Sequence, residues 1–173
     1  MKIRRAEKKD LADVARIHVE AWKSVYRGIM PDEVLDARNL DAQQIVWEEE
    51  LDKGAKLYVC EQEGNIVGFA SGHEVDAFHA EIDTLYFQES DRGKGYGLQM
   101  LDYMRHVLGE EKQISLWCVK ENPNRTFYEA NGGETGSEKS VQIGGKEIAG
   151  IIPVGNFCSI CANSFWLPMR QAV

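Results

Sequence analysis

The sequence contains no uninterrupted apolar run near the ~18–20 residues that a membrane-spanning helix requires. Its first ten residues, Met1-Lys-Ile-Arg-Arg-Ala-Glu-Lys-Lys-Asp, carry charge where a signal peptide would have its apolar core. No membrane association is expected, and the cytoplasm is the expected location. Positive charge is also in deficit. There are 28 acidic and 20 basic side chains, a net charge of −8 with a pI near 5.1, so attraction to nucleic-acid phosphates is not expected. Cysteine is scarce: Cys60, Cys118, Cys158 and Cys161 lie mostly in apolar surroundings, which suits free thiols in a reducing compartment. Cys158-x-x-Cys161 has no second Cys or His pair at ligand spacing, so structural thiols are expected ahead of a metal site.

What is present fits one compact unit. A chain of 173 residues, 43% hydrophobic, suits a single core. Its charge is uneven. Residues 31–53 hold eight acids against the bases Arg38 and Lys53, whereas the 26 residues from Ile148 onward hold one charged side chain, Arg170. The acidic stretch reads either as a solvated helix face or as an attractor for a cationic amine. Residues 1–154 are taken as the domain and 155–173 as an apolar extension. Phe157, Phe165 and Trp166 would be an aggregation liability if exposed, so packing against a second copy in a homodimer is the expectation for that extension.

The periodicity changes along the chain. Leu11, Val14, Ala15, His18, Ala21, Trp22 and Val25 form one helical stripe, with Asp10 expected in the first turn and Glu7 a poor cap. Pro31 closes that segment, and a second helix is expected from about Asp41 to Asp52. Lys56-Leu-Tyr-Val-Cys-Glu and Ile66-Val-Gly-Phe-Ala-Ser-Gly read as a hairpin about Glu63-Gly64-Asn65. Ala80-Glu-Ile-Asp-Thr-Leu-Tyr-Phe is a third strand. Leu98, Leu101, Met104 and Leu108 mark a helix ending at Gly109, Ile114–Val119 is a strand, and a short helix with Asn122 as its cap should end at Asn131-Gly132. Ser140–Ile143 and Lys146–Ile152 form a closing hairpin. The result is a mixed α/β domain.

Chemistry is expected at Arg92-Gly93-Lys94-Gly95-Tyr96-Gly97, between a strand and a helix. Glycines there let consecutive amides approach an anion, and the helix's first turn adds unpaired amides. Phosphate or pyrophosphate is the expected guest. Leu98 stands where a dinucleotide fingerprint needs glycine, and the spacing is not that of a P-loop.

With Arg92, Gly95 and Gly97 at the positions of the motif Arg/Gln-x-x-Gly-x-Gly/Ala, this loop resembles the acyl-CoA pyrophosphate loop of the GCN5-related N-acetyltransferases. The resemblance extends to Ile3-Arg-Arg-Ala, to Ala21-Trp-Lys-Ser-Val-Tyr-Arg-Gly-Ile-Met-Pro, to Leu85-Tyr-Phe and to Asn122-Pro-Asn-Arg-Thr-Phe-Tyr-Glu-Ala-Asn-Gly-Gly. It implies a mostly antiparallel central sheet, splayed at the cofactor site and flanked by helices. It further implies that Arg92, Gly93, Lys94, Gly95, Tyr96, Gly97 and Leu98 hold the pyrophosphate of acetyl-CoA. On the same basis Leu85, Tyr86 and Phe87 pair with the pantetheine arm, and Asn122 either bonds that arm or caps its helix. Tyr128 matches the family's general acid. Glu81 matches its base, and His79, Glu81 and Asp83 are expected to share one strand face. Trp22, Tyr26 and Trp47 either line the acceptor pocket or belong to the core. The implied activity is acetyl transfer from acetyl-CoA to a primary amine of a small molecule. The alternatives are a protein lysine or N-terminal acetyltransferase, and a non-catalytic acyl-CoA sensor.

Overall fold

The computed structural model describes residues 1–134, 140–143, 146–148 and 151–153. The apolar extension 155–173, with Cys158 and Cys161, lies outside the described residues, and with it the expected contact to a second copy.

The elements are β1 (Lys2–Arg5), α1 (Leu11–Tyr26), α2 (Asp32–Asp36), α3 (Leu40–Asp52), β2 (Lys56–Gln62), β3 (Asn65–Glu74) and β4 (His79–Phe87). They are followed by α4 (Tyr96–Leu108), β5 (Gln113–Val119), α5 (Arg125–Ala130), β6 (Val141–Ile143), β7 (Lys146–Ile148) and β8 (Ile151–Pro153). The main sheet runs β1-β2-β3-β4-β5-β8, with every neighbour antiparallel except the parallel pair β4 and β5. The β2–β3 hairpin turns on Glu63 and Gly64, both at positive φ (52° and 83°), which matches the strand twist.

Helices cover both faces. Met100, Leu101, Met104 and Leu108 of α4 pack on Ala70, Ala80, Ile82, Phe87, Ile114 and Leu116. On the other face Leu11, Val14, Ala15 and Ile17 of α1 meet Leu57, Val59, Ile66 and Phe69, with Trp47 of α3 completing the layer. A third cluster joins Trp22, Val25, Tyr26, Met30 and Leu35 to Val119 and Ile143 and closes one end of the sheet. The expected stripe of α1 is therefore its buried face.

Three expectations are corrected. Asp10 precedes α1 rather than lying in its first turn. Its carboxylate accepts from the Glu7 amide (2.8 Å) and from both terminal nitrogens of Arg4 (2.7 and 2.9 Å), tying β1 to the helix start. Helix α2 was not expected. It follows Pro31 directly and is anchored by the fully buried Leu35. The closing strand is divided: β7 pairs with β6, whereas β8 joins the edge of β5, with Pro153 opposite Trp117 at the sheet margin where no amide is required.

The Arg4–Asp10 pair predicts a pH dependence. Hydrogen bonds from Arg4 lead in holding the Asp10 carboxyl below its usual range, against burial that opposes them. The stabilisation is therefore present above the ordinary carboxylate pKa of ~4 and is lost as pH falls through the lower folded value. Arg4→Leu should cost about 2 kcal/mol at neutral pH, between the values for exposed and fully buried pairs, and should reduce the acid sensitivity of the remaining stability. Urea denaturation at pH 7 and pH 3.5 measures both effects.

Candidate functional site

The site originates in a parting of strands. β4 and β5 are in register only from His79 opposite Gln113 to Ile82 opposite Leu116. Beyond that point Trp117, Cys118 and Val119 pair with β8 on the far edge, and the facing edges of β4 and β5 have no strand between them among the described residues. A bulge lies at the fork. Ser71 is opposite Thr84 and Gly72 opposite Ile82, so Asp83 is the extra residue of β4. A side chain at Gly72 would come within 2.6 Å of the Glu81 carbonyl, so the strands approach closely only because glycine is there. The bulge inverts the alternation along β4: Ala80 and Ile82 face α4, as do Leu85 and Phe87 beyond it, while Tyr86 faces α1.

The gap opens into a cleft of about 470 Å³. Thr84, Leu85 and Tyr86 of β4, Trp117 and Cys118 of β5, Asn122 and Tyr128 line one part, and Trp22, Tyr26, Arg38 and Trp47 line the other. Trp22, Tyr26 and Trp47 are core residues, no more than 7% exposed, that also line the cleft. The Trp22 indole N–H donates to the Tyr86 hydroxyl (3.0 Å), and that of Trp47 donates to His18 Nδ1 (3.2 Å). Burial, helped by the Arg38 charge, pushes the His18 pKa down to about 3, so the ring is neutral. The wall is thus an aromatic box of fixed hydrogen bonds.

The glycine loop sits at the other end of the parted strand. Gly93 and Gly95 have φ of +77° and +79°, with open space where side chains would project. Gly95 is the N-cap of α4, and the helix's first internal bond is from Gln99 N–H to the Gly95 carbonyl, so the preceding first-turn amides are left to outside acceptors. Tyr96 packs on Phe87 (ring centroids 6.4 Å apart), and Gly97 faces Phe127 so closely that a Cβ would sit 3.4 Å from its ring. Arg92 and Leu98 are exposed. Lys94 is paired with Asp91 (2.7 Å), which steadies the loop. Open space above two left-handed glycines, a free helix N-terminus and a strand edge without a partner suit a long anionic thioester with an amide-bearing arm.

Comparison with known proteins settles the class. Residues 14–132 match the Acetyltransferase (GNAT) family. The chain belongs to the GNAT family. It is 27% identical over 150 residues to the uncharacterized N-acetyltransferase YuaI of Bacillus subtilis, covering 83% of this chain and 86% of that protein. Its fold is shared with a ribosomal-protein-alanine N-acetyltransferase from Brucella melitensis (TM-score 0.69, 21% identity, 89% and 98% of the two chains). It is shared equally with the PaiA N-acetyltransferase of Thermoplasma acidophilum, solved with coenzyme A (TM-score 0.67, 18% identity, 89% and 97%). This GNAT protein is an N-acetyltransferase, and acetyl-CoA is its cosubstrate.

Within the GNAT frame, Tyr128 lies on α5 at the fork, packed on Phe127 (5.1 Å), and burial raises its phenol well above the ordinary value, with Cys118 and Tyr86 adding to the effect. Asn122 Oδ1 accepts from the Asn124 amide (2.9 Å), and its Nδ2 contacts the Tyr26 hydroxyl (3.4 Å). The turn-capping role is therefore occupied, while the residue still borders the cleft. Helix α5 starts at Arg125, two residues later than expected, and ends at Ala130.

Glu81 departs from expectation. His79 and Asp83 are half-buried and Glu81 between them is buried, so the three groups do not form one open face. Glu81 is fully buried and is absent from the cleft lining. Burial pushes its pKa up to about 7, Asp83 adds to the rise, and His73 and the Trp117 indole pull the other way. His73, opposite Glu81 on β3, does line the cleft and bonds Asp83 (3.1 Å). Sequence reading missed His73, His18 and Arg38 as site residues. The one signal for Arg38 was that it is a lone base between runs of acids.

Gly95→Ala should place a side chain in the left-handed region at a cost of ~1–2 kcal/mol. Calorimetric titration should show coenzyme A binding weakened about tenfold.

Proposed function

We propose that the chain transfers the acetyl group of acetyl-CoA to a primary amine of a small molecule. The observation that carries this reading is the parting of β4 from β5 at Ile82/Leu116, with Tyr128 at the fork and an aromatic-walled cleft beyond it. A cleft of about 470 Å³ suits a small acceptor better than a protein surface. The cosubstrate supplies an activated acetyl thioester. The loop Arg92–Leu98 holds its phosphates by main-chain amides, with Arg92 and Lys94 as neighbouring cations, and the free edge at Leu85–Phe87 takes its amide-bearing arm as a further strand would.

Tyr128 holds a proton at its hydroxyl for the departing sulfur. A phenol raised by burial stays protonated throughout the physiological range and so keeps a proton to give the departing thiolate. Glu81 is the proposed sink for the amine's proton. It sits behind His73 and Asp83, so the proton reaches it through that pair or through water rather than by direct contact. We place the protein in the cytoplasm, where the buried free thiols of Cys60 and Cys118 stay reduced. Among the described residues, no helix is long and apolar enough to cross a membrane.

Tyr128→Phe should lower kcat at least ~100-fold in a thiol-release assay while coenzyme A binding stays within about threefold. Unchanged turnover would remove Tyr128 from the chemistry. For Glu81 the sign follows from its raised pKa. The carboxyl accepts a proton only when ionised, so kcat/KM should rise as pH increases through about 7. Glu81→Gln should remove that inflection and leave the slope due to the amine alone; retention of the inflection would exclude Glu81 as the proton acceptor.

A further inference from the structure

The charged residues lining the cleft are paired, with one exception. Glu50 meets Lys53 (2.9 Å), Lys56 meets Glu74 (2.6 Å), and His73 meets Asp83. Arg38 meets no carboxylate among the described residues. Its guanidinium carbon lies 3.5 Å from the centroid of the Trp22 ring, one terminal nitrogen donates to Gln43 Oε1 (3.3 Å), and its Nε is buried without a hydrogen-bond partner. Burial lowers its pKa, and the Tyr86 and Tyr26 hydroxyls oppose that shift, but a guanidinium remains charged at neutral pH. The surrounding acids are directed elsewhere. Asp32 and Asp36 hold Arg27, and Glu48 and Asp52 hold Lys8, all on the outer surface. A stretch that is strongly acidic in sequence thus presents a single unmatched cation to the cleft.

Leaving a desolvated charge without a counter-ion costs several kcal/mol, and stacking on Trp22 with one amide acceptor offsets this only in part. A carboxylate is the partner that a guanidinium fork fits best, through two parallel N–H···O bonds. Resting on the amine-acetyltransferase reading, we propose that the acceptor is an amine that also carries a carboxylate, and that Arg38, planar above Trp22, is the residue that binds this carboxylate. The aromatic box then houses the carbon chain between the two groups, and its length sets which amine nitrogen reaches the fork of β4 and β5.

The test compares kcat/KM, corrected for the fraction of free amine, for a series of amino acids of increasing amine-to-carboxylate distance and their carboxamides. The wild-type enzyme should prefer the best acid at least tenfold over its amide. In Arg38→Met that ratio should fall below threefold, mainly through KM, and Arg38→Lys should keep an intermediate ratio because it retains charge without the fork. Calorimetric titration of the best amino acid into enzyme without acetyl-CoA gives a readout independent of turnover. Arg38-dependent binding without acetyl transfer would support this inference while overturning the proposed activity. Acetyl transfer with no preference for the acids, measured on wild-type enzyme and so independent of how the variants fold, would overturn the inference. So would an Arg38→Met change that weakens coenzyme A binding tenfold and leaves the acid preference intact.

Discussion

Two neighbouring strands cannot both stay paired and admit a ligand between them. In this chain the conflict is resolved at one point, where Asp83 is inserted into β4 opposite the Ser71-Gly72 step and the parallel ladder to β5 stops at Ile82 and Leu116. The edges freed there would be costly if left dry and unpaired. Their stability as open edges depends on what surrounds them: β8 takes over the far edge of β5, and the cluster of Trp22, Val25, Tyr26 and Met30 with Val119 supports the open end. Glycine at position 72 is part of the same solution, because the strands close to a distance that excludes a side chain.

That single divergence also sorts the polar groups. Before the bulge, Glu81 is buried, and burial shifts it toward neutrality. After it, Thr84 and Tyr86 face the cleft and join the box of His18, Trp22 and Trp47. The box is apolar in character yet rich in directed hydrogen bonds, a combination that holds shape and imposes little charge. Against this neutral wall a guanidinium has a large effect, because among the described residues no carboxylate pairs with it.

Much of the architecture was legible in the chain. The stripe of α1, the extent of α3, the β2–β3 hairpin and the strand–glycine loop–helix unit each follow from local spacing, and each formed where expected. The loop was legible for a physical reason: positive φ at Gly93 and Gly95 demands residues without a Cβ, so the backbone requirement is written in residue type. Helix α2 and the division of the last strand were not legible, since a five-residue helix held by one buried leucine and a strand that changes partner leave no periodic trace.

The sequence by itself pointed to the class of chemistry, because the glycine loop and the Asn122–Gly133 block that carry the family resemblance are local patterns read over a few residues. It also determined the core, through the spacing of apolar side chains. The roles of charge were decided only in three dimensions. Glu81 and Asp83 are two residues apart, yet Glu81 is buried and off the cleft lining whereas Asp83 lines the cleft beside His73. Arg38 sits among eight acids in the chain, yet ion pairs on the outer surface draw several of them away and leave it facing the cleft. Linear neighbours share a segment, but electrostatic neighbours are set by which face each side chain takes, and that depends on packing among residues far apart in the chain.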